Sequence, residues 1–352
     1  MHYKSTKRIV VLITAFIFML SLYAFATDAD DIKADAISVI EGFSRTFQKP
    51  LGELKPIGLN IRTGIFKNIC IGFNSGLHKM SQIETLPHTF DNPLSAEVPV
   101  LLYHHIIEEK GYGDNVMSAE LFEKHLIAIK KAGYTTVSAK EMIDFVYYGN
   151  ALPEKPILIS FDDGYSSNYE LAYPLLKKHN MKAIIFAIGW AIGKNEYKST
   201  GKPIIEHFSY DDINEMTASG LIEVQSHTYD MHQSPDLENS EVIRESVLQL
   251  QSDDEASYRK SLENDYKTFD MHLFNNTGFR NYAIAYPHGE YSEESEDIFK
   301  RLGCFITFTT EFTNKNILVQ GDLDSLRTLN RFTMSEGISA EQLIPLIESK
   351  YQ

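Results

Sequence analysis

Two adjacent carboxylates, Asp162 and Asp163, follow the apolar run Ile157-Leu158-Ile159-Ser160-Phe161 and precede Gly164-Tyr165. Neighbouring carboxylates repel each other unless a cation, a proton or hydrogen bonds stabilise them. One of the pair can therefore hold a metal ion while the other serves as a base. A second group lies in Ser226-His227-Thr228-Tyr229-Asp230-Met231-His232. On a regular strand these two histidines would face opposite sides, but across a strand-to-loop bend they can converge on one point. Two neutral imidazoles and one carboxylate, with positions left open for water, make a catalytic metal arrangement. Each segment has a plainer reading, an Asp-Gly turn with a helix cap in the first and unrelated loop histidines in the second. What favours chemistry is that both sit at the C-terminal end of an expected strand, where active sites of α/β proteins gather.

The elements that must position these groups begin at Val98. Val98 to Tyr103 reads as a first strand running into His104-His105, and Ser118 to Gly133 as a helix with one apolar side and a glycine stop. Thr135 to Val137 is a short strand. Ser138-Ala139-Lys140-Glu141 and Ser167-Asn168-Tyr169-Glu170 have the spacing of capping boxes that open helices. Further strands are expected at Lys182 to Ile188, Leu221 to Thr228, Tyr282 to Tyr286, Cys304 to Thr309 and Leu329 to Met334, with helices at Ser209 to Ser219, Ala256 to Phe274, Glu293 to Leu302 and from Ser339 onward. This alternation predicts an α/β fold, a distorted (β/α) barrel of seven or eight parallel strands. No GxGxxG, P-loop or G-x-S-x-G pattern supports a nucleotide-binding or serine-hydrolase reading.

The chain has 352 residues, is 43% hydrophobic and carries a formal charge of −15. It is long enough for one large domain with an appendage, and its acidity disfavours nucleic acid and anionic membrane surfaces as partners. The two cysteines, Cys70 and Cys304, lack metal-site spacing; a disulfide and two free thiols both remain open. Lys4, Lys7 and Arg8 precede an uncharged apolar run from Ile9 to Ala26, and Asp28, Asp30 and Asp31 follow it. That asymmetry indicates export with the N-terminus in the cytoplasm. Ala24-Phe25-Ala26 resembles a cleavage site, while the length of the run equally fits an uncleaved anchor. Residues 1–26 are therefore read as a signal peptide or membrane anchor, and 27–96 as a stalk or accessory segment.

Three motifs carry a family resemblance. Ser160-Phe161-Asp162-Asp163-Gly164, Ser226-His227-Thr228 with His232, and Ala285-Tyr286-Pro287 with Gly289 are similar to the motifs of the polysaccharide deacetylase family, the NodB-homology domain of carbohydrate esterase family 4. The resemblance covers about residues 98–340, within a deacetylase domain expected over 97–352. Four residues between the histidines, with Tyr103-His104 ahead, resemble the branch of exported poly-N-acetylglucosamine deacetylases. The resemblance implies Asp163, His227 and His232 as ligands of one divalent metal ion, usually zinc and in some members cobalt, nickel or iron. It implies Asp162 as the general base toward the attacking water and His104 as the acid toward the leaving amine, with His105 as the alternative if the register is displaced by one. Backbone N–H groups near Pro287, His288 and Gly289 would serve the oxyanion, and Tyr165 would contact substrate. Tyr229, Trp190 and Tyr291 are further candidates to stack on sugar faces, against the commoner role of aromatics in the core.

The sequence also departs from the family. His288 stands where most relatives have tyrosine, Tyr286 where an arginine is frequent, and the late Leu-x-x-His motif appears as Leu326-Arg327-Thr328-Leu329-Asn330-Arg331 without a histidine. Arg331 either replaces the missing positive charge near the site or is a solvated or ion-paired surface residue. The resemblance thus implies an exported, metal-dependent enzyme, located outside the cell or on the outer face of the cytoplasmic membrane. It would remove N-acetyl groups from N-acetylglucosamine residues of a cell-envelope or exopolysaccharide. The alternatives are a peptidoglycan or other amide deacetylase, or a non-catalytic polysaccharide-binding module.

Overall fold

The computed structural model describes residues 90–110, 113, 115–310 and 314–349. The expected export segment, nearly all of the stalk and Cys70 lie outside the described residues. Eight parallel strands form the central sheet: β1 (Val100–Tyr103), β2 (Thr135–Thr136), β3 (Pro156–Phe161), β4 (Ala183–Ala187), β5 (Ile222–Ser226), β6 (Ala283–Ala285), β7 (Ile306–Phe308) and β8 (Phe332–Thr333). Their order is β7-β6-β5-β4-β3-β1-β8, and β2 pairs with the start of β3. The sheet curls: Leu329 makes a parallel bridge to Phe308 while Phe332 pairs with Leu101, so residues 329–333 reach from β1 to β7 at the far end of the order.

Alternation along the strands sorts two apolar layers, as it must in a sheet covered on both faces. Leu101, Ile157, Ile159, Phe161, Ala183 and Ile185 pack with Phe122, Leu126 and Ile129 of helix α1 (Ala119–Lys131) and with Leu176 of α3 (Tyr173–His179). The residues between them, Val100, Leu158, Ile184 and Phe186, join Ala285, Phe308 and the buried side of α2 (Ala139–Tyr148). Ser160 and Asp162 share the parity of Leu158, so Asp162 leaves β3 on this second side.

Helices α4 (Tyr210–Ala218), α5 (Glu255–Thr277), α6 (Glu293–Arg301) and α7 (Ala340–Ser349) complete the domain. The box at Ser138 forms as expected. The one expected at Ser167 does not: Asn168–Ala172 is a π-helical turn, and Ser167 makes no cap. Its hydroxyl instead accepts from the Ile106 N–H at 3.2 Å and bonds the His105 ring at 2.8 Å. A tertiary partner has outcompeted the local one. Because the strands are parallel, their C-terminal ends share one rim, which carries His104, Asp162-Asp163 and His227 immediately after β1, β3 and β5, and Pro287 two residues after β6.

Candidate active site

At the end of β3 the two carboxylates separate. Asp162 accepts two guanidinium hydrogen bonds from Arg331, Nη1 to Oδ1 and Nη2 to Oδ2, each 2.7 Å. Arg331 is completely buried, and its Nε donates to the Thr309 carbonyl at 3.0 Å. The surface reading of Arg331 is therefore corrected: it stands beneath the carboxylate. Burial alone would raise the Asp162 carboxyl, but the Arg331 charge, with His227 and His104 beside it, brings it down to about 2.

Asp163 turns the other way. Its backbone is left-handed (φ 72°), which directs its carboxylate toward the histidines. The Asp163 Oδ1 is buried without a hydrogen-bond partner and lies 3.7 Å from Nε2 of both His227 and His232. Burial raises this carboxyl too, and the His104, His227 and His232 charges outweigh it, so it lies below the ordinary range. Thr228 is also left-handed (φ 69°), as is His288 (φ 57°). For a β-branched residue this is uncommon. Three of the five non-glycine residues with positive φ among those described thus fall at this rim, the placement expected of strain held at a functional site.

The histidines are oriented for ligation. His227 Nδ1 lies 2.8 Å from the Ala285 carbonyl, which can only accept, so Nδ1 carries a proton and Nε2 is the ring nitrogen left facing Asp163. Burial, and then the neighbouring His227, hold His232 down to about 4, leaving it neutral at neutral pH. One ligand atom from each of Asp163, His227 and His232 lies within 4.8 Å of the others. An unpaired buried carboxylate oxygen between two imidazole nitrogens fits a divalent cation with three protein ligands.

Comparison with known proteins bears on the family and the fold. The family model for polysaccharide deacetylase matches residues 149–305. A Bacillus subtilis protein provisionally named polysaccharide deacetylase YxkH is 31% identical over 254 residues, 72% of this chain and 77% of that one. The chain belongs to the polysaccharide deacetylase family. A poly-beta-1,6-N-acetyl-D-glucosamine N-deacetylase of Staphylococcus aureus is 28% identical over 197 residues, covering 55% of this chain and 61% of that enzyme's length. Among solved structures, a de-N-acetylase from Aggregatibacter actinomycetemcomitans superposes with a TM-score of 0.59 at 24% identity, covering 71% of this chain and 99% of that one. IcaB from Ammonifex degensii gives 0.57 at 24% identity, covering 72% and 97%. At that identity they share the curled parallel fold.

Around the carboxylates of this deacetylase the remaining candidates fall into place unevenly. His104 follows β1 and feels the charges of Asp163, Asp162, Arg331 and His227. Burial dominates and lowers its pKa, and its Nδ1 is buried without a hydrogen-bond partner. His105 is instead tied to Ser167. Pro287–Gly289 form a single 3-10 turn. Pro287 has no N–H and the Gly289 N–H donates to the Tyr286 carbonyl at 2.8 Å, which leaves the His288 N–H as the free donor of the turn. Gly289 is required there, since a Cβ would lie 2.2 Å from Thr310 Oγ1. The exposed His288 ring stands 4.7 Å from that of His232.

Of the four aromatic candidates, Tyr165 alone adjoins the carboxylates. Burial, then the Asp163 charge, raise its hydroxyl far above the ordinary range, so it stays protonated. Tyr291 stacks on Tyr286, Tyr229 on His272, and Trp190 packs edge-on to Tyr197. Two residues were missed from the sequence. His207 lies against the Tyr165 ring at 5.2 Å, and Asp265 on α5 holds the loop between His227 and His232. Neither belongs to a local pattern that signals chemistry.

Proposed function

We propose that this deacetylase is a metal-dependent hydrolase that removes N-acetyl groups from N-acetylglucosamine residues of a cell-envelope or exopolysaccharide, releasing acetate. The catalytic unit is residues 97–352, carried outside the cell by the N-terminal segment 1–26 and spaced from it by 27–96. The observation that carries the reading is the meeting of Asp163, His227 and His232 beside a separately neutralised Asp162. Zinc is the metal proposed.

Asp163 Oδ1, His227 Nε2 and the His232 ring would hold the cation, which would polarise the amide carbonyl and make the attacking water more acidic. Asp162 stays ionised at any working pH and receives the water's proton. Arg331 fixes both of its oxygens, so the base does not rotate away as it takes that proton. The His288 N–H is available to the oxyanion that forms when water adds to the carbonyl carbon. As the C–N bond breaks, His104 gives a proton to the nitrogen, which leaves as the free amine while acetate forms. His104 is neutral at rest, so it must first gain that proton, and the two carboxylates facing it favour its charged form. Tyr165 lines the side of the site as a hydrogen-bond donor.

The test is acetate release from β-1,6-linked N-acetylglucosamine oligomers, with and without zinc, beside Asp162→Asn. Zinc-dependent release that the variant loses is the expected result. Bound zinc without release would move the substrate to peptidoglycan or another amide, and neither binding nor release would leave a polysaccharide-binding module.

A further inference from the structure

Between His227 and His232 lie four residues, and all four of their N–H groups are engaged. Thr228 N–H donates to Ser226 Oγ at 3.0 Å and Met231 N–H to Thr228 Oγ1 at 3.1 Å. These two bonds stay local, the first to the end of β5 and the second within the loop. The other two leave it: Tyr229 N–H donates to Asp265 Oδ1 and Asp230 N–H to Asp265 Oδ2, each at 2.7 Å. Asp265 lies near the middle of α5, whose Leu262, Tyr266 and Phe269 are buried. The carboxylate is thus mounted on a rigid element and grips successive backbone donors midway between two metal-site histidines. The loop it grips is a strained one, because Thr228 is held left-handed. Gly189 and Trp190 N–H hold the Thr228 and Tyr229 carbonyls at 3.0 Å each, and Asp265 adds the hold on the donors that lead on toward His232.

The anchor has an energetic cost. Burial pushes the Asp265 carboxyl up to about 7, although the two N–H groups pull the other way. The nearby Lys198 is already paired with Asp230 and Glu238. A desolvated carboxylate without its own counter-charge is expensive where only stability is at stake, and such positions concentrate where a site needs them.

We propose that Asp265 is a positioning residue for the metal site: by fixing the Tyr229 and Asp230 N–H groups it sets the placement of His232 relative to His227, and with it the metal affinity. The proposal rests on the metal reading of Asp163, His227 and His232. Groups that orient metal ligands from behind change affinity by about 10–100-fold when altered. Asparagine can accept only one of the two N–H bonds and turns a donor toward the other.

The experiment is zinc affinity of the full chain, read by competition with a chromophoric chelator, for wild type, Asp265→Asn and Asp265→Glu. Asp265→Asn is expected to bind zinc about 10–100-fold more weakly. Asp265→Glu should recover part of the loss, and saturating zinc should restore most of kcat to both. If wild type binds no zinc, the metal reading fails first. If wild type binds and Asp265→Asn binds equally well, the positioning role is overturned. Amide exchange in metal-free wild type needs no variant to fold: Tyr229 and Asp230 N–H should be the slowest of the loop, and fast exchange at both would also overturn the proposal.

Discussion

Asp162 accepts two hydrogen bonds from a guanidinium that the fold supplies, whereas one step along the chain Asp163 keeps a buried oxygen without a partner, 3.7 Å from two imidazole nitrogens. The backbone separates them: Asp162 continues the parity of β3, and the left-handed Asp163 turns away from it. One carboxylate has its counter-charge built into the core, and in the proposed mechanism the other binds one from outside. Changes on the Asp162 side should therefore alter turnover at saturating metal, and stability with or without metal. Changes on the Asp163 side should act through metal binding.

The largest effect is expected at Asp162. Asp162→Asn should lower acetate release by about 10²–10⁴-fold, the range of a general base, while zinc affinity stays near that of wild type. Loss of zinc binding in this variant would show that the two carboxylates do not divide their roles as described.

Next is Arg331→Met, which leaves Asp162 buried without its partner and should cost about 3–5 kcal/mol in urea unfolding. The acid behaviour follows from the same pair. The Asp162 carboxyl is depressed in the folded protein to about 2. Its contribution to stability is thus fully present above the ordinary carboxyl range and is lost as pH falls toward 2. That contribution is on the order of 2 kcal/mol, and Arg331→Met should abolish it. Comparing wild-type and variant stability between pH 5 and pH 2, about the span over which a depressed carboxyl protonates, checks the sign. Combining Asp162→Asn with Arg331→Met should cost less than the sum of the two.

This pair also marks the limit of what was legible in the sequence. The strands and both candidate-site segments could be read because each is local: an apolar run, an Asp-Asp-Gly turn, two histidines across a bend. The place of Arg331 was left open because a buried arginine makes sense only with its partner, and that partner is 169 residues away. Ser167 failed for the same reason, since its spacing to Glu170 suited a cap but His105 and Ile106 took the hydroxyl. Asp265 looks like a solvated helix residue until the loop above it is known. His104 and Arg331 both lie outside the span matched by the family model, and only the curled sheet brings them to the carboxylates.

On the Asp163 side, zinc at one hundred times its dissociation constant should stabilise wild type by about 2.7 kcal/mol. Asp163→Asn should lose that gain while changing the metal-free protein much less than Arg331→Met does. A zinc-induced rise in melting temperature that survives Asp163→Asn would place the cation elsewhere.

The smallest effect is expected at His288, and it sharpens the comparison by separating backbone from side chain on the metal side. His288 is exposed, and its left-handed backbone is set by the Pro287–Gly289 turn, with Thr310 Oγ1 donating to its carbonyl at 3.1 Å. His288→Tyr keeps that backbone and the free N–H, so stability should change by no more than about 0.5 kcal/mol. In the proposed mechanism the N–H serves the oxyanion and the imidazole serves nothing, so kcat should stay within about threefold, well short of the 10²–10³-fold cost of losing an oxyanion donor. A drop of that larger size at unchanged stability would mean that the ring beside His232 takes part in the reaction, giving the Asp163 side a third imidazole that the Asp162 side does not need.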